Sequence, residues 1–129
     1  ICTTAGWSSD LETEASQQLV ELYKDFTPDG AELSEGHVKD MINVLLLGLA
    51  INQAGTTEPE QVREALRNLD VDTSTLPIPW NGISIDEYGQ NTSANSFIVQ
   101  MTDGNYRTVY PTENATVDVV YPMPNWSER

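Results

Sequence analysis

The sequence predicts an α/β protein in which three helices come first and a strand-rich segment follows. Up to Leu69, apolar residues recur at three- and four-residue spacing, which is the period of amphipathic helices. After Leu69 the period changes to two, which is typical of half-buried strands. The dipeptide Asp103-Gly104 lies between two such stretches and predicts a short hairpin loop.

The first predicted helix follows a β-prone stretch, residues 1–7, that ends at a Gly-Trp corner. Ser9-Asp-Leu-Glu12 has the spacing of a capping box, in which the serine and the glutamate each satisfy a free backbone amide. We therefore expect a helix from Ser9 to about Phe26, ended by a turn at residues 27–30. Its predicted apolar stripe consists of Leu11, Ala15, Leu19, Leu22 and Phe26.

The second predicted helix runs from Ser34 to about Ala54, with Gly55 just after its end. Its second half is apolar nearly all round, so we expect it to be buried between layers. Thr57-Glu-Pro59-Glu60 has the pattern of a second capping box and predicts the start of the third helix. The apolar residues on one face of that helix are Val62, Ala65, Leu66 and Leu69.

Four strands are predicted after the helices, and each is bounded by turn residues. They are residues 82–86, 96–102, 105–110 and 117–121. The first leads into a turn at residues 86–89, and the second and third are the arms of the Asp-Gly hairpin. Pro122 and Pro124 close the fourth.

The chain is strongly acidic, with 20 Asp and Glu against 6 Lys and Arg and a net charge of −14. A field of that sign repels phosphate backbones and anionic lipid head groups, so nucleic acid and membrane surfaces are disfavoured as partners. The longest apolar run, residues 44–51, is shorter than the roughly 20 residues of a membrane-spanning helix. We expect no signal peptide on this chain, and a start inside a predicted strand favours a mature or cleaved fragment.

No catalytic residue is predicted, and we expect the protein not to be an enzyme. His37 is the only histidine and Cys2 the only cysteine, and neither has a partner at a spacing typical of nucleophilic catalysis. No metal site or cofactor is expected, since the glycines stand singly and the carboxylates do not follow a calcium-binding loop. A remote alternative is an extracellular hydrolase that uses Asp70, Asp72, Asp86 and Glu87.

Three stretches, taken in order, resemble the periplasmic branched-chain amino acid and amide-binding family of ABC-transporter receptors. The first is Leu49-Ala-Ile-Asn-Gln-Ala-Gly55, followed by Thr-Thr-Glu58-Pro59 and a helix ending Ala65-Leu66. The second is Trp80-x-Gly82-Ile-x-Ile-Asp86-x-x-Gly89-Gln-Asn91, in which Ile85 replaces an aromatic residue that is common in the family. The third is the hairpin with Val-Tyr-Pro111, together with the closing Tyr-Pro-Met-Pro-x-Trp-Ser-Glu-Arg129.

The resemblance implies the C-terminal part of a two-lobed type I periplasmic-binding-protein fold. Residues 1–92 would belong to the first lobe, which residues 1–7 would enter as a hinge crossover strand. Residues 93–129 would return to the second lobe as a hairpin and a last strand. Missing N-terminal segments of the same protein, in one chain or as a companion chain, would complete the receptor. We also expect these 129 residues not to fold stably in isolation, because the predicted helix 34–54 is apolar on faces that its own partners cannot all cover.

The resemblance also implies a function, the extracytoplasmic capture of a small solute for delivery to an ABC transporter permease. The solute would be an amino acid, an amide or a related small organic molecule. The location would be periplasmic or extracellular, with membrane anchoring through an N-terminus outside this sequence as one option. A ligand-sensing regulatory domain of the same fold is the alternative function.

Trp7 and His37 are the two candidate ligand-binding residues. Trp7 ends the crossover strand beside the expected cleft, although core filling is the usual role of tryptophan. His37 lies near the start of the second helix, where many relatives carry a cleft-lining tyrosine. An incidental or hydrogen-bonded histidine is the alternative there.

Overall fold

Three helices lie in the chain between an N-terminal strand and a C-terminal hairpin. The computed structural model describes residues 1–27, 30–125 and 127. Its strands are β1 (Cys2–Ala5), β2 (Phe97–Thr102) and β3 (Asn105–Tyr110), and its helices are α1 (Glu14–Phe26), α2 (Glu35–Ala54) and α3 (Pro59–Arg67). Short 3-10 turns occupy Thr73–Thr75 and Thr112–Asn114. The predicted α/β class, with three helices followed by a strand-rich segment, is confirmed.

Helix α1 begins later than its sequence pattern predicts. Thr13 is the N-cap, and its hydroxyl accepts a hydrogen bond from the Ser16 amide at 3.4 Å. The predicted capping box at Ser9 is therefore wrong, because residues 8–10 turn towards the hairpin and Leu11 is buried ahead of the helix. The predicted end at Phe26 is confirmed. Pro28 and Asp29, in the predicted turn that follows, lie outside the described residues.

Helix α2 has both of its predicted ends. Ser34 is the N-cap, and Gly55 at the C-terminus adopts φ 65°, the left-handed conformation that glycine tolerates best. One face packs into the core through Val38, Ile42, Leu46 and Ala50. On the opposite side, Val44 is 71% exposed and Leu47 49% exposed. The expected burial on all sides is therefore wrong within the described residues, because α3 and the core cover one face only.

Helix α3 starts at a proline, as its sequence predicts, but without the predicted capping box. Its N-cap is Glu58, which makes no side-chain cap hydrogen bond. The Glu58 amide instead donates to the Thr56 hydroxyl at 3.2 Å, so the turn before the helix uses Thr56 rather than Thr57. Pro59 suits the first helical position because its fixed φ is already helical and its missing amide has no partner to lose.

The sheet has the order β1-β2-β3, and both pairings are antiparallel. Cys2 pairs with Gln100 at one end of the β1–β2 ladder, and Ala5 pairs with Phe97 at the other. The predicted hairpin is confirmed, with Asp103 at φ 50° and Gly104 at φ 78°. Two successive positive φ values make a loop whose twist matches that of the flanking strands.

Two of the predicted strands do not form. The stretch 82–86 is reduced to a single bridge between Ile85 and Asn91. The Asn91 side chain explains this, because its carbonyl oxygen accepts from the Ser84 amide at 2.9 Å and its NH₂ donates to the Gly82 carbonyl at 3.1 Å. These two side-chain hydrogen bonds take the place of backbone pairing with a neighbouring strand. The predicted turn that follows Asp86 is present.

The predicted strand at 117–121 is likewise absent from the described residues. Val120 pairs with a side chain instead of a neighbouring backbone, since the Gln100 amide group both donates to it and accepts from it. This segment is therefore attached to β2 from the side and does not extend the sheet.

A continuous core joins the three helices to one end of the sheet. Its buried members are Trp7, Leu11, Val38, Ile42, Leu46, Ala50, Val62, Ala65, Leu69, Leu76, Ile78 and Phe97. Leu76 and Ile78 belong to the Leu-Pro-Ile-Pro segment, which connects the helices to the rest of the chain and contributes to this core.

Candidate functional site

A groove of about 480 Å³ lies where β1, the start of α2 and the β2–β3 hairpin meet. This volume falls within the usual range for small-molecule pockets, roughly 300–1,000 Å³. Apolar and polar side chains both line it, among them Trp7, Ser8, Glu35, Met101, Tyr106 and Arg107. The groove is thus built from segments about 100 residues apart in the chain, brought together by the antiparallel pairing of β1 with β2.

Trp7 forms part of the groove wall but belongs mainly to the core. It is 3% exposed, and its indole N–H donates to the Ser16 hydroxyl at 2.9 Å. The indole therefore presents only an apolar surface to the groove, since its single polar atom is already bonded. Contact between Trp7 and a ligand stays a prediction.

The corner that places Trp7 depends on the absence of a side chain at Gly6. The Gly6 amide donates to the Glu35 carboxylate at 2.8 Å, and the same carboxylate pairs with Lys39. A Cβ on Gly6 would lie 2.9 Å from the Lys39 side chain and 3.0 Å from the Glu35 carboxylate. Glycine therefore allows β1 to turn tightly against the first turn of α2.

His37 is exposed and lies outside the set of described residues that line the groove. Its Nδ1 accepts a hydrogen bond from the Ser34 amide at 3.2 Å, and its ring stacks on Tyr23 with 5.5 Å between centroids. The imidazole thus helps to cap α2 and to hold α1 beside it. The structure does not bring His37 and Trp7 together, and a ligand contact by His37 stays a prediction.

The groove contains charged groups of both signs. Arg107 lines it from β3, and Glu32 and Glu35 line it just before and at the start of α2, where the Glu35 carboxylate is already paired with Lys39. Such a lining suits a small polar or zwitterionic molecule, because each end of it finds a complementary charge. Reasoning from the sequence missed Arg107, Glu32 and Glu35. The available clue was an arginine within the predicted hairpin of a chain that has only 6 basic residues.

Asp10 lies beside the groove and is the most heavily hydrogen-bonded carboxylate among the described residues. It accepts from the Ser8 hydroxyl at 2.5 Å, from the Thr108 amide at 2.7 Å and from the Thr108 hydroxyl at 2.9 Å. The Thr116 hydroxyl donates to it as well. Burial would raise the pKa of Asp10, but these hydrogen bonds outweigh it and hold the pKa below its usual 3.8.

The acidic residues of the hydrolase alternative include two that cap local turns. The Asp72 carboxylate accepts from the Ser74 hydroxyl at 2.6 Å and from the Ser74 amide at 3.0 Å, and these hydrogen bonds lower the pKa of Asp72. The Asp86 carboxylate accepts from the amides of Tyr88 and Gln90, both at 2.9 Å. These hydrogen bonds give both carboxylates a structural role in their turns. Within residues 1–27, 30–125 and 127, no cluster of three His, Cys, Asp or Glu side chains is arranged to hold a metal ion.

The fold and the groove together define part of an α/β ligand-binding domain, with three helices and a three-stranded antiparallel sheet around a solute-sized site. A family model described as periplasmic binding protein matches residues 1–105, and the chain belongs to this family, in its branched-chain amino acid-binding type. No curated protein matches the chain.

Family membership establishes the general function and suggests where it is performed. Periplasmic binding proteins bind solutes or other small ligands, are typically not enzymes, and are expected outside the cytoplasm. In the part of the chain that the structure describes, no helix is both long enough and apolar enough to cross a bilayer.

Proposed function

We propose that the protein captures a small solute outside the cytoplasm and delivers it to an ABC transporter permease. The solute is an amino acid, an amide or a related small organic molecule. The observation that carries this proposal is the family match over residues 1–105, in a chain whose groove has charges of both signs. An amino acid has a carboxylate for Arg107 and an ammonium group for Glu32, whereas the Glu35 carboxylate already pairs with Lys39.

The proposed capture mechanism is closure of two lobes around the solute. Residues 1–92 are assigned to the first lobe, with residues 1–7 as its entry strand, and residues 93–129 to the second. In this chain the groove is lined by residues 3–9, 32–35 and 99–107, and β1 is paired with β2, so these residues form one side of the cleft. A solute bound on this side and also contacted by the rest of the receptor would favour the closed arrangement, because only that arrangement provides both sets of contacts.

The proposal includes further polypeptide that covers the outer face of α2. Four large apolar side chains on this helix are exposed: Val44, Leu45, Leu47 and Leu49. Burying a valine or leucine side chain stabilises a protein by about 1.5–3 kcal/mol, so an uncovered face of this size forgoes considerable stability. N-terminal segments of the same protein, either preceding this chain or in a companion chain, are proposed to cover this face of α2.

Native mass spectrometry of the protein purified from its natural source tests this function. We expect a complex that contains the covering segments and retains a small molecule, which tandem fragmentation would identify as an amino acid, amide or close relative. Growth of the source organism with that molecule as sole nitrogen source, with and without the permease gene, then tests delivery. A bound solute whose uptake does not depend on the permease would favour the sensory alternative.

A further inference from the structure

Asp10 does not line the groove, but its carboxylate accepts hydrogen bonds from residues on two sides of it. One carboxylate oxygen accepts from the hydroxyls of Ser8 and Thr108, and the other accepts from the Thr108 amide and the Thr116 hydroxyl. Ser8 lines the groove on the β1 side. Thr108 follows Arg107, which lines it on the hairpin side. The carboxylate therefore spans the gap between the two walls from outside.

We propose that Asp10 is a positioning residue that fixes the distance and orientation between the Ser8 wall and the Arg107 wall. This inference rests on the proposed function, because it assigns the groove as the site that is positioned. Thr108 is completely buried, so the strand segment next to Arg107 cannot shift without breaking its bonds to Asp10. A groove held in its binding geometry before the solute arrives loses less entropy on binding and therefore binds more tightly.

The chemistry of the four donors explains why an oxygen-bearing side chain is needed at this position. The Thr108 amide has a fixed direction and accepts nothing, so it requires an acceptor. The three hydroxyl groups can rotate and can serve as acceptors instead. Asparagine at position 10 could therefore keep its oxygen on the Thr108 amide and point its NH₂ at the Ser8 and Thr108 hydroxyls. Alanine would leave the Thr108 amide without this bond.

Four variants of the full gene product separate positioning from charge and from general stability. Asp10→Ala removes the acceptors, Asp10→Asn removes the charge but keeps bonding capacity, and Asp72→Ala removes a turn-capping carboxylate away from the groove. Val62→Ala in α3 serves as a destabilised control, because Val62 is buried but is not a lining residue. All are compared by amide hydrogen exchange without solute and by calorimetric titration with L-leucine, L-glutamine and acetamide.

We expect Asp10→Ala to speed amide exchange at Thr108 about tenfold and to raise the Kd of the bound probe by about tenfold. Asp10→Asn should restore most of the slow exchange and most of the affinity, because asparagine keeps the hydrogen bonds. If the negative charge alone were required, neither would be restored. Asp72→Ala and Val62→Ala should leave the Kd unchanged. The inference is overturned if Val62→Ala weakens binding as much as Asp10→Ala, because loss of stability would then explain both results.

Two further results also bear on the role of Asp10. If Asp10→Ala does not fold, Thr108→Val, which removes the hydroxyl but keeps the amide, should still raise the Kd and the exchange rate at Ser8, and no change in either would overturn the inference. If the wild-type protein binds none of the three probes, that result counts against the proposed solute class. The exchange comparison at Thr108 still decides whether Asp10 orders the groove.

Discussion

The side-chain amide of Gln100 pairs with the backbone of Val120 in both directions. The Val120 N–H donates to Gln100 Oε1 at 2.8 Å, and Gln100 Nε2 donates to the Val120 carbonyl at 3.1 Å. This is the hydrogen-bonding pattern of a neighbouring strand, supplied by one side chain of the central strand β2. It attaches the segment after the hairpin to the sheet without lengthening the sheet.

Replacing Gln100 with leucine should release this segment. Gln100 is largely buried, so the variant would leave both backbone groups of Val120 without these partners, and we expect the free energy of unfolding to fall by about 1–3 kcal/mol. Urea denaturation measures this change in the free energy of unfolding. Gln18→Leu is the matched control, since the side chain of Gln18 donates to the exposed Glu14 carboxylate, and a change within about 0.5 kcal/mol is expected. Equal losses in the two variants would contradict the role of Gln100.

Arg107 should determine affinity for solutes that carry a carboxylate. The Arg107→Gln variant keeps the length and polarity of the side chain but removes the charge, and we expect the Kd of the natural solute to rise about tenfold. Isothermal titration measures the change. Arg63→Gln is the control, because Arg63 pairs with Glu60 on the exposed surface of α3. An unchanged Kd for Arg107→Gln would show that the solute binds elsewhere or through other groups.

The outer face of α2 should be required for association with the covering segments. We expect Leu47→Gln to reduce the fraction of complex in native mass spectra at least several-fold, because a polar amide would be buried at an apolar interface. Leu22→Gln on α1 is a matched control, since Leu22 is 54% exposed and Leu47 49% exposed. Full retention of the complex in Leu47→Gln would mean that the covering segments do not bury this face.

Stability should fall in acid because of Asp10. Its folded pKa lies below 3.8, so folding favours the ionised carboxylate, and the resulting stability is fully present above that pH. It is lost as the pH falls through the lower, folded-state pKa. Denaturation midpoints measured from about pH 7 to about pH 2 should therefore fall less steeply in Asp10→Asn than in the wild-type protein. If the denaturation midpoints of the two proteins fall equally in acid, Asp10 contributes nothing to the pH dependence of stability.

Local chemistry made several features predictable from the sequence. The cap at Ser34, the left-handed Gly55, Pro59 in the first turn of α3 and the Asp103-Gly104 loop each depend on residues within a few positions of one another. The apolar character of most faces of α2 was visible in the same way, although burial on all of them was not borne out in the described residues. Such features follow from backbone geometry and side-chain periodicity.

Two of the incorrect predictions share a different cause. Ser9 has a suitable residue type and spacing for an N-cap, yet Asp10 is bonded to the hairpin and the helix begins after Thr13. The stretch near Val120 has a strand-like composition, but its hydrogen bonds go to the side chain of Gln100. In both cases a partner about 20 to 100 residues away replaced the local one, and a pattern read over a few residues does not contain that partner.

The sequence by itself determined the α/β class, the three helices, the hairpin and the family, because these depend on periodicity, on caps and on the order of short motifs. Only the tertiary structure decided that Trp7 belongs mainly to the core, that His37 caps a helix, and that Arg107, Glu32 and Glu35 line the same groove. The physical reason is that a binding site depends on distances between segments. Those distances are set by the pairing of β1 with β2 and by the bonds of Asp10 to Thr108.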